Sequence, residues 1–167
     1  MRRRGAPHHP GVVFLQGVYA RGIGFMEPLP LKPPKTFTVS EADALLPDIS
    51  RIIRELQALQ GSIVQTSEQQ DEVTRKVTAG NGYPIQQLRA QIEETTARQL
   101  KLIEGYQRAL KELEDLGAVL KDVNLGLIDF YSIRDNALIF LCWKLGEDRI
   151  RFWHSLEGGF AGRLPLD

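Results

Sequence analysis

The hydrophobic period of the chain changes at Gly117, and this change limits the folds that the sequence can adopt. Before Gly117 the apolar residues recur every three or four positions along two long segments, which is the pattern of helices with one apolar face. After it the apolar runs are short, rich in β-branched and aromatic residues, and separated by turn residues, as is typical of strands. Helices followed by strands indicate an α+β fold.

The region before the change of period predicts a helical hairpin over residues 36–117. A capping-box spacing at Thr38–Glu41 marks its start, and Pro47 is expected to end a short first turn and to open the long helix. Residues 78–84 form a turn-prone loop whose last residue, a proline, starts the second helix. Each helix has about 33 residues and a length of roughly 50 Å, and the short loop makes the pair antiparallel.

The region after the change of period, residues 118–167, predicts a small β-meander and a C-terminal segment. A short strand over 118–120 is a further candidate. The helical hairpin is expected to cover one face of the sheet, because a small isolated sheet is barely stable. We predict an antiparallel meander of three strands, over residues 126–133, 137–144 and 149–154. Two turns, at 135–136 and 146–148, connect them.

The two turns predict which side chains meet. A two-residue turn at 135–136 pairs Asp129 with Cys142, and a three-residue turn at 146–148 then brings His154 to the same face. Thiolate, imidazole and carboxylate groups are ligands of Zn²⁺ and Fe²⁺. We therefore name as candidate metal ligands Asp129, Cys142 and His154, with Glu147 of the adjoining turn as the fourth and most distant candidate. The favoured expectation is that no cofactor is bound, and zinc or iron is the alternative.

Other interpretations of the same residues stay open. A cysteine in an apolar strand also serves as a small core residue, and Asp129 could form a structural ion pair with Arg151 or Arg163. An enzyme with a cysteine–histidine nucleophile is less favoured, because no cation or helix start lies beside Cys142 in the sequence.

The glycine-rich segment near the C-terminus is a candidate anion site. Gly158 and Gly159 offer backbone N–H groups and Arg163 offers a guanidinium, a combination that can surround an anion. The segment lacks the strand–loop–helix setting of a phosphate loop. The alternative is a chain that crosses the sheet and uses glycines at its tight bends.

Composition limits the partners and the location of the protein. The formal net charge is zero, so nothing in the global charge attracts nucleic acid or a membrane. A single cysteine excludes an intrachain disulfide and fits the reducing cytoplasm. The helices have more apolar length than a small sheet can cover, so the surplus favours a homodimer or a protein partner. The alternative is that the two apolar faces cover each other.

Residues 1–35 are predicted to be a disordered or extended arm outside the domain 36–167. The arginines at positions 2–4 and the apolar run after them imitate a signal peptide, but the run is short and interrupted. We therefore expect a cytoplasmic protein, and translation starting at Met26 is an alternative account of the arm.

The motifs FTVSEADALLP near Phe37, GLIDF at Gly126, and LCWKLGE, WH and GFAGRLPL from Leu141 onward resemble the uncharacterised prokaryotic family called domain of unknown function 2203. The resemblance covers about residues 36–167. It implies a compact α+β protein and transfers no catalytic residue. The sequence thus favours a non-enzymatic protein that self-associates or binds a partner through its helices. A metal-binding protein is the first alternative, and an enzyme acting through the same cluster is the second.

Overall fold

The computed structural model describes residues 34–79 and 84–166. The predictions made for residues 1–33 and for the loop 80–83 lie outside the described residues. The chain forms two long helices followed by one antiparallel sheet, which confirms the α+β fold. The elements are α1 (Val39–Thr78), α2 (Ile85–Asp115), β1 (Ala118–Asp122), β2 (Leu127–Arg134), β3 (Ala137–Lys144), β4 (Phe152–Ser155), a 3-10 turn (Phe160–Gly162) and β5 (Leu164–Pro165).

The sheet has five strands in the order β1-β2-β3-β4-β5, so the prediction of a three-stranded meander is wrong. The candidate strand after Gly117 is present as β1, which pairs antiparallel with β2. The strand β5 has only two residues, and one of them is Pro165. Proline weakens a strand pattern and is tolerated at a sheet edge, so this strand left almost no signal in the sequence.

The start of α1 follows the predicted capping box. The backbone N–H of Glu41 donates to Thr38 Oγ1 at 3.2 Å, and the N–H of Thr38 donates to Glu41 Oε2 at 2.8 Å. These two bonds satisfy backbone donors that the first turn of a helix leaves without partners.

Pro47 lies inside α1 and does not divide it, which corrects the prediction of a helix boundary. A proline inside a helix removes one backbone hydrogen bond. Leu46 before it and Ile49 after it are both buried in the same core. Packing of that continuous apolar face offsets the lost bond, so one helix of 40 residues forms.

Gly117 ends the helical region, as predicted, with a positive φ of 87°. A Cβ atom at this position would lie 2.6 Å from the ring of Phe37. Glycine therefore meets two requirements here, a left-handed cap and space for an aromatic ring of the core.

The two helices pack together and run antiparallel, which fits the predicted hairpin. Arg51 in the first part of α1 pairs with Glu112 near the end of α2. Ser67, further along α1, accepts a hydrogen bond from Gln99, which lies earlier in α2, at 3.2 Å. No helix within residues 34–79 and 84–166 is long and apolar enough to cross a membrane.

The main core lies where the base of the helix pair meets one face of the sheet. The helices contribute mostly aliphatic side chains, and the strands contribute aliphatic and aromatic ones. The core residues are Phe37 just before α1, Ala42, Leu46, Ile49, Ile52, Ile53 and Leu56 from α1, Ala109 and Leu113 from α2, and Ala118, Ile128, Phe130, Ile139, Leu141, Trp143 and Ile150 from the sheet region.

Candidate metal centre

The turn between β2 and β3 sets the register of the first two candidate ligands. Asp135 and Asn136 have positive φ values of 51° and 61°, which is the conformation of a two-residue hairpin turn whose twist matches the strands. The predicted pairing of Asp129 with Cys142 is confirmed. Both side chains point away from the helices, because Ile128 and Phe130 on either side of Asp129 point into the main core.

The pairing of β3 with β4 brings in the third candidate. Cys142 lies opposite Phe152, and Phe140 lies opposite His154, as predicted. His154 therefore shares the face of Asp129 and Cys142. We call these three residues the DCH cluster.

The connection between β3 and β4 is longer than the predicted three-residue turn at 146–148. β3 ends at Lys144, and β4 begins only at Phe152. The reason is a local turn in which the Glu147 N–H donates to the Lys144 carbonyl at 3.0 Å. The Lys144 N–H also donates to the Glu147 carboxylate at 2.9 Å. This turn uses the backbone groups that a continued ladder would need.

The DCH cluster is compact and almost completely buried. One potential ligand atom from each residue lies within 4.8 Å of the other two. The exposed fractions are 1% for Asp129, 0% for Cys142 and 2% for His154. Ligand atoms around a tetrahedral zinc ion lie about 3.3–3.8 Å apart. Shifts of about an ångström, within the reach of side-chain rotation, would bring the three atoms to that geometry.

The hydrogen bonds of His154 define the state of its ring. Nδ1 lies 2.7 Å from the Ser155 carbonyl oxygen, and a carbonyl only accepts, so Nδ1 carries a proton. Nε2 lies 3.2 Å from Asp129 Oδ2. Because a hydrogen bond needs a donor, one of these two atoms also carries a proton. Metal-binding histidines use the same arrangement, in which a carbonyl holds one N–H and the other nitrogen faces the metal.

Burial dominates the electrostatics of the cluster. It raises the pKa of Asp129, against the opposing effects of the Cys142 thiol, His154 and the Lys121 ammonium. The Lys121 Nζ lies 3.9 Å from Oδ2. The second oxygen, Oδ1, is buried and makes no hydrogen bond of normal geometry within the described part of the chain. Such an oxygen is costly unless it binds something.

Burial also raises the pKa of the Cys142 thiol, and the neighbouring Asp129 carboxylate adds to the effect. Cys142 is therefore protonated at neutral pH in the metal-free protein. This environment is the opposite of the electropositive one that activates a nucleophilic cysteine. The thiol can still lose its proton to a metal ion, because binding a cation directly compensates the thiolate charge.

Glu147, the fourth predicted ligand, does not lie in the DCH cluster. Its carboxylate accepts two hydrogen bonds from Arg163 Nη2, at 2.7 and 2.9 Å. The alternative ion pair of Asp129 with Arg151 or Arg163 is not formed either, since Arg151 pairs with Asp148 at 2.8 Å and Arg163 pairs with Glu147. The side chains that approach Asp129 are the imidazole of His154 and the ammonium group of Lys121 instead.

The candidate anion site has two of its donors engaged within the protein. The Gly158 N–H donates to the Ser155 carbonyl at 3.0 Å, and Arg163 is held by Glu147. Gly159 has a φ of 56°, so it does serve a tight bend, as the alternative interpretation expected.

Lys121 belongs to the site, although no sequence pattern indicated it. Lys121 lies over the ring of Phe140 at 4.4 Å and reaches Asp129 from β1. Its position follows from the pairing of β1 with β2. A prediction that paired the short strand after Gly117 with β2 would have placed Lys121 beside Asp129.

A family model described as an uncharacterised conserved protein, DUF2203, matches residues 35–166. The chain therefore belongs to this family. No curated protein and no solved structure matches the chain.

Proposed function

We propose that this member of the DUF2203 family binds one transition-metal ion through Asp129, Cys142 and His154. The observation that carries the proposal is the convergence of three different metal-binding side chains in a buried site. The Asp129 Oδ1 atom supports it, because this buried oxygen makes no hydrogen bond of normal geometry within the described residues. A thiolate, an imidazole and a carboxylate suit zinc best, and Fe²⁺ is the second choice.

A metal ion would resolve the two unfavourable features of the cluster. It would compensate the charge of a buried carboxylate whose pKa is raised by burial, and it would give Asp129 a partner for its second oxygen. It would displace two protons, one from the Cys142 thiol and one from the contact between Asp129 and His154. Metal affinity should therefore fall as the pH is lowered.

The proposed role is binding and not catalysis. Two surface cavities of about 420 and 500 Å³ lie along the described residues, and neither is lined by a member of the DCH cluster. We place the protein in the cytoplasm in this proposal, since a single cysteine ligand needs a compartment that keeps thiols reduced. Nucleic acid and membranes are not among the proposed partners.

The test is the metal content of the purified protein after exposure to zinc and to iron. We expect one equivalent of zinc in the wild type. Asp129→Asn and Cys142→Ser each remove a direct ligand, so each should lose more affinity than the roughly 10–100-fold typical of losing an outer-shell partner. Asp148→Asn is the matched control, because Asp148 is an exposed carboxylate paired with Arg151. Wild-type protein that binds neither metal, or variants that bind as well as the wild type, would overturn the proposal.

Self-association through the helix pair is a second candidate function. Several apolar side chains of the helix pair are exposed, among them Val77 at 49%, Ile85 at 69% and Ile92 at 42%. A second copy packing on them would remove this apolar surface from water. Replacing Val77 and Ile92 with Gln should convert a dimer to a folded monomer, measured by solution mass. A wild-type monomer at high concentration would exclude this function.

A further inference from the structure

The C-terminal segment turns back after β4 and lies beside the DCH cluster. β5 pairs with β4 through Trp153 and Leu164. One step further along this register places Arg163 opposite His154, so the two side chains share a face. Gly158 lies against His154 as well, since a Cβ atom on Gly158 would be 3.4 Å from the Cβ of His154. We call residues 156–165 the strap.

Arg163 holds the strap over the face that carries the cluster. Its guanidinium lies over the ring of Phe152 at 4.0 Å and over that of Phe160 at 4.9 Å. Phe152 is the direct cross-strand neighbour of Cys142. The side chain of Arg163 is only 11% exposed, and Glu147 binds it from the turn after β3. The charge of Arg163 also reaches the Cys142 thiol, whose pKa it lowers against the larger effect of burial.

The rest of the strap has few attachments. β5 has two residues, and residues 156–162 are exposed. A backbone bond from the Leu166 N–H to the Arg151 carbonyl, at 2.8 Å, lies beyond the strap and anchors its far end. A segment with so few buried contacts opens at a lower free energy than the sheet on which it lies.

We propose that the strap controls access of metal ions to the DCH cluster and that the Arg163–Glu147 ion pair holds it in the closed position. This inference rests on the proposed metal function. In the closed state the cluster is buried and exchanges slowly with solvent. Release of Arg163 from Glu147 lifts the strap from Phe152 and His154, which exposes the thiol and imidazole while the core on the other face of the sheet stays intact.

The experiment uses the reaction of Cys142 with Ellman's reagent in the full-length, metal-free protein. Cys142 is the only cysteine of the chain, so the labelling rate reports access to this one site. We expect Arg163→Gln to raise the rate by about tenfold, because it removes this ion pair and leaves the sheet. Arg151→Gln is the matched control, since its partner Asp148 is exposed, and it should leave the rate unchanged.

Two further measurements separate local opening from unfolding. Glu147→Gln removes the other half of the ion pair and should raise the rate as Arg163→Gln does. The rate should also be insensitive to low concentrations of urea, because opening of the strap exposes little surface whereas global unfolding exposes much. Labelling that accelerates steeply with urea in every variant would show access by global unfolding and would overturn the strap.

The zinc-loaded proteins distinguish failure of the strap from failure of the metal function. Zinc release to a chelator should be faster in Arg163→Gln by a factor similar to that for labelling. If wild type and variant each bind one zinc but release and labelling rates are equal, the strap is refuted and the metal function stands. If neither protein binds zinc, the proposed metal function fails, and control of metal access fails with it. A faster labelling rate in Arg163→Gln would then show only that the strap shields the Cys142 thiol.

Discussion

The two faces of the sheet are both buried, but by different means. The face toward the helices is covered by α1 and α2 and is lined by apolar side chains such as Ile128 and Phe130. On the opposite face Asp129 is 1% exposed, and neither α1 nor α2, the two long helices of the described residues, lies over it. There the cover consists of cationic side chains over aromatic rings, with Lys121 above Phe140 and the Arg163 guanidinium above Phe152.

This difference shows that adjacent residues of one strand can be buried for opposite reasons. Ile128 and Phe130 stabilise the fold by leaving water. Asp129, between them, is destabilised by leaving water, and its contacts with His154 and Lys121 compensate only in part. A stable sheet does not need such a group. Its presence on the face without a helix is therefore the feature that most requires a functional explanation.

The largest effect is expected on the helix-covered face. Phe130→Ala should lower the free energy of unfolding by about 3–5 kcal/mol, because it removes a fully buried ring and leaves a cavity. Urea denaturation measures the loss. Phe160→Ala is the control, since Phe160 on the strap is 43% exposed and should cost much less. Equal losses at the two positions would contradict the distinction between the faces.

A smaller loss is expected when the polar face loses its imidazole. His154→Ala should cost about 1–3 kcal/mol in the metal-free protein, because the Asp129 carboxyl is left buried without its main partner. Asp129→Asn should make the same substitution less costly, since no charge is then left behind. The coupling is measured by a double-mutant cycle in urea. Additive losses would show that the two side chains act independently.

The third prediction concerns pH. Burial raises the pKa of Asp129, so the folded state holds this proton more tightly than the unfolded chain does. The resulting stabilisation is full below about pH 4, the ordinary range of an unfolded aspartate, and is lost as the pH rises through the folded pKa. Asp129→Asn removes this dependence.

The free energy of unfolding of metal-free Asp129→Asn should therefore rise relative to that of the wild type as the pH rises from about 4 to 8, by on the order of 1 kcal/mol. Denaturation curves at a series of pH values measure the difference. Asp148→Asn provides the comparison, because the pKa of Asp148 is lowered by its bond to Arg151, so its effect on stability changes only below about pH 4 and stays constant across this range. A constant difference between Asp129→Asn and wild type across this range would contradict the burial of a charged carboxylate.

The smallest effect is expected from the cationic cover. Lys121→Met keeps most of the apolar stem over Phe140 and should change the free energy of unfolding by no more than about 1 kcal/mol. It should raise the pKa of Asp129 further, because the lysine charge lowers it. Carbon-13 NMR of the carboxyl group measures that pKa. An unchanged value would show that Lys121 does not act on the cluster.

Local patterns determined most of the architecture. The three- and four-residue spacing predicted both helices, and the turn residues 135–136 predicted the register that brings Asp129 and Cys142 together. Period-two alternation then predicted the face of His154. These features depend on near neighbours in the chain, whose geometry is set by backbone dihedral angles, and so they are accessible without the fold.

Only the tertiary structure decided the remaining features, because they depend on residues far apart in sequence. The core around Leu46 and Ile49 keeps α1 continuous through Pro47, although proline alone favours a break. Arg163 binds Glu147 and so separates Glu147 from the DCH cluster. The pairing of the edge strands places the side chains of Lys121 and Arg163 on the face that carries the DCH cluster. Burial, charge compensation and edge pairing are properties of the packed chain, and no local pattern contains them.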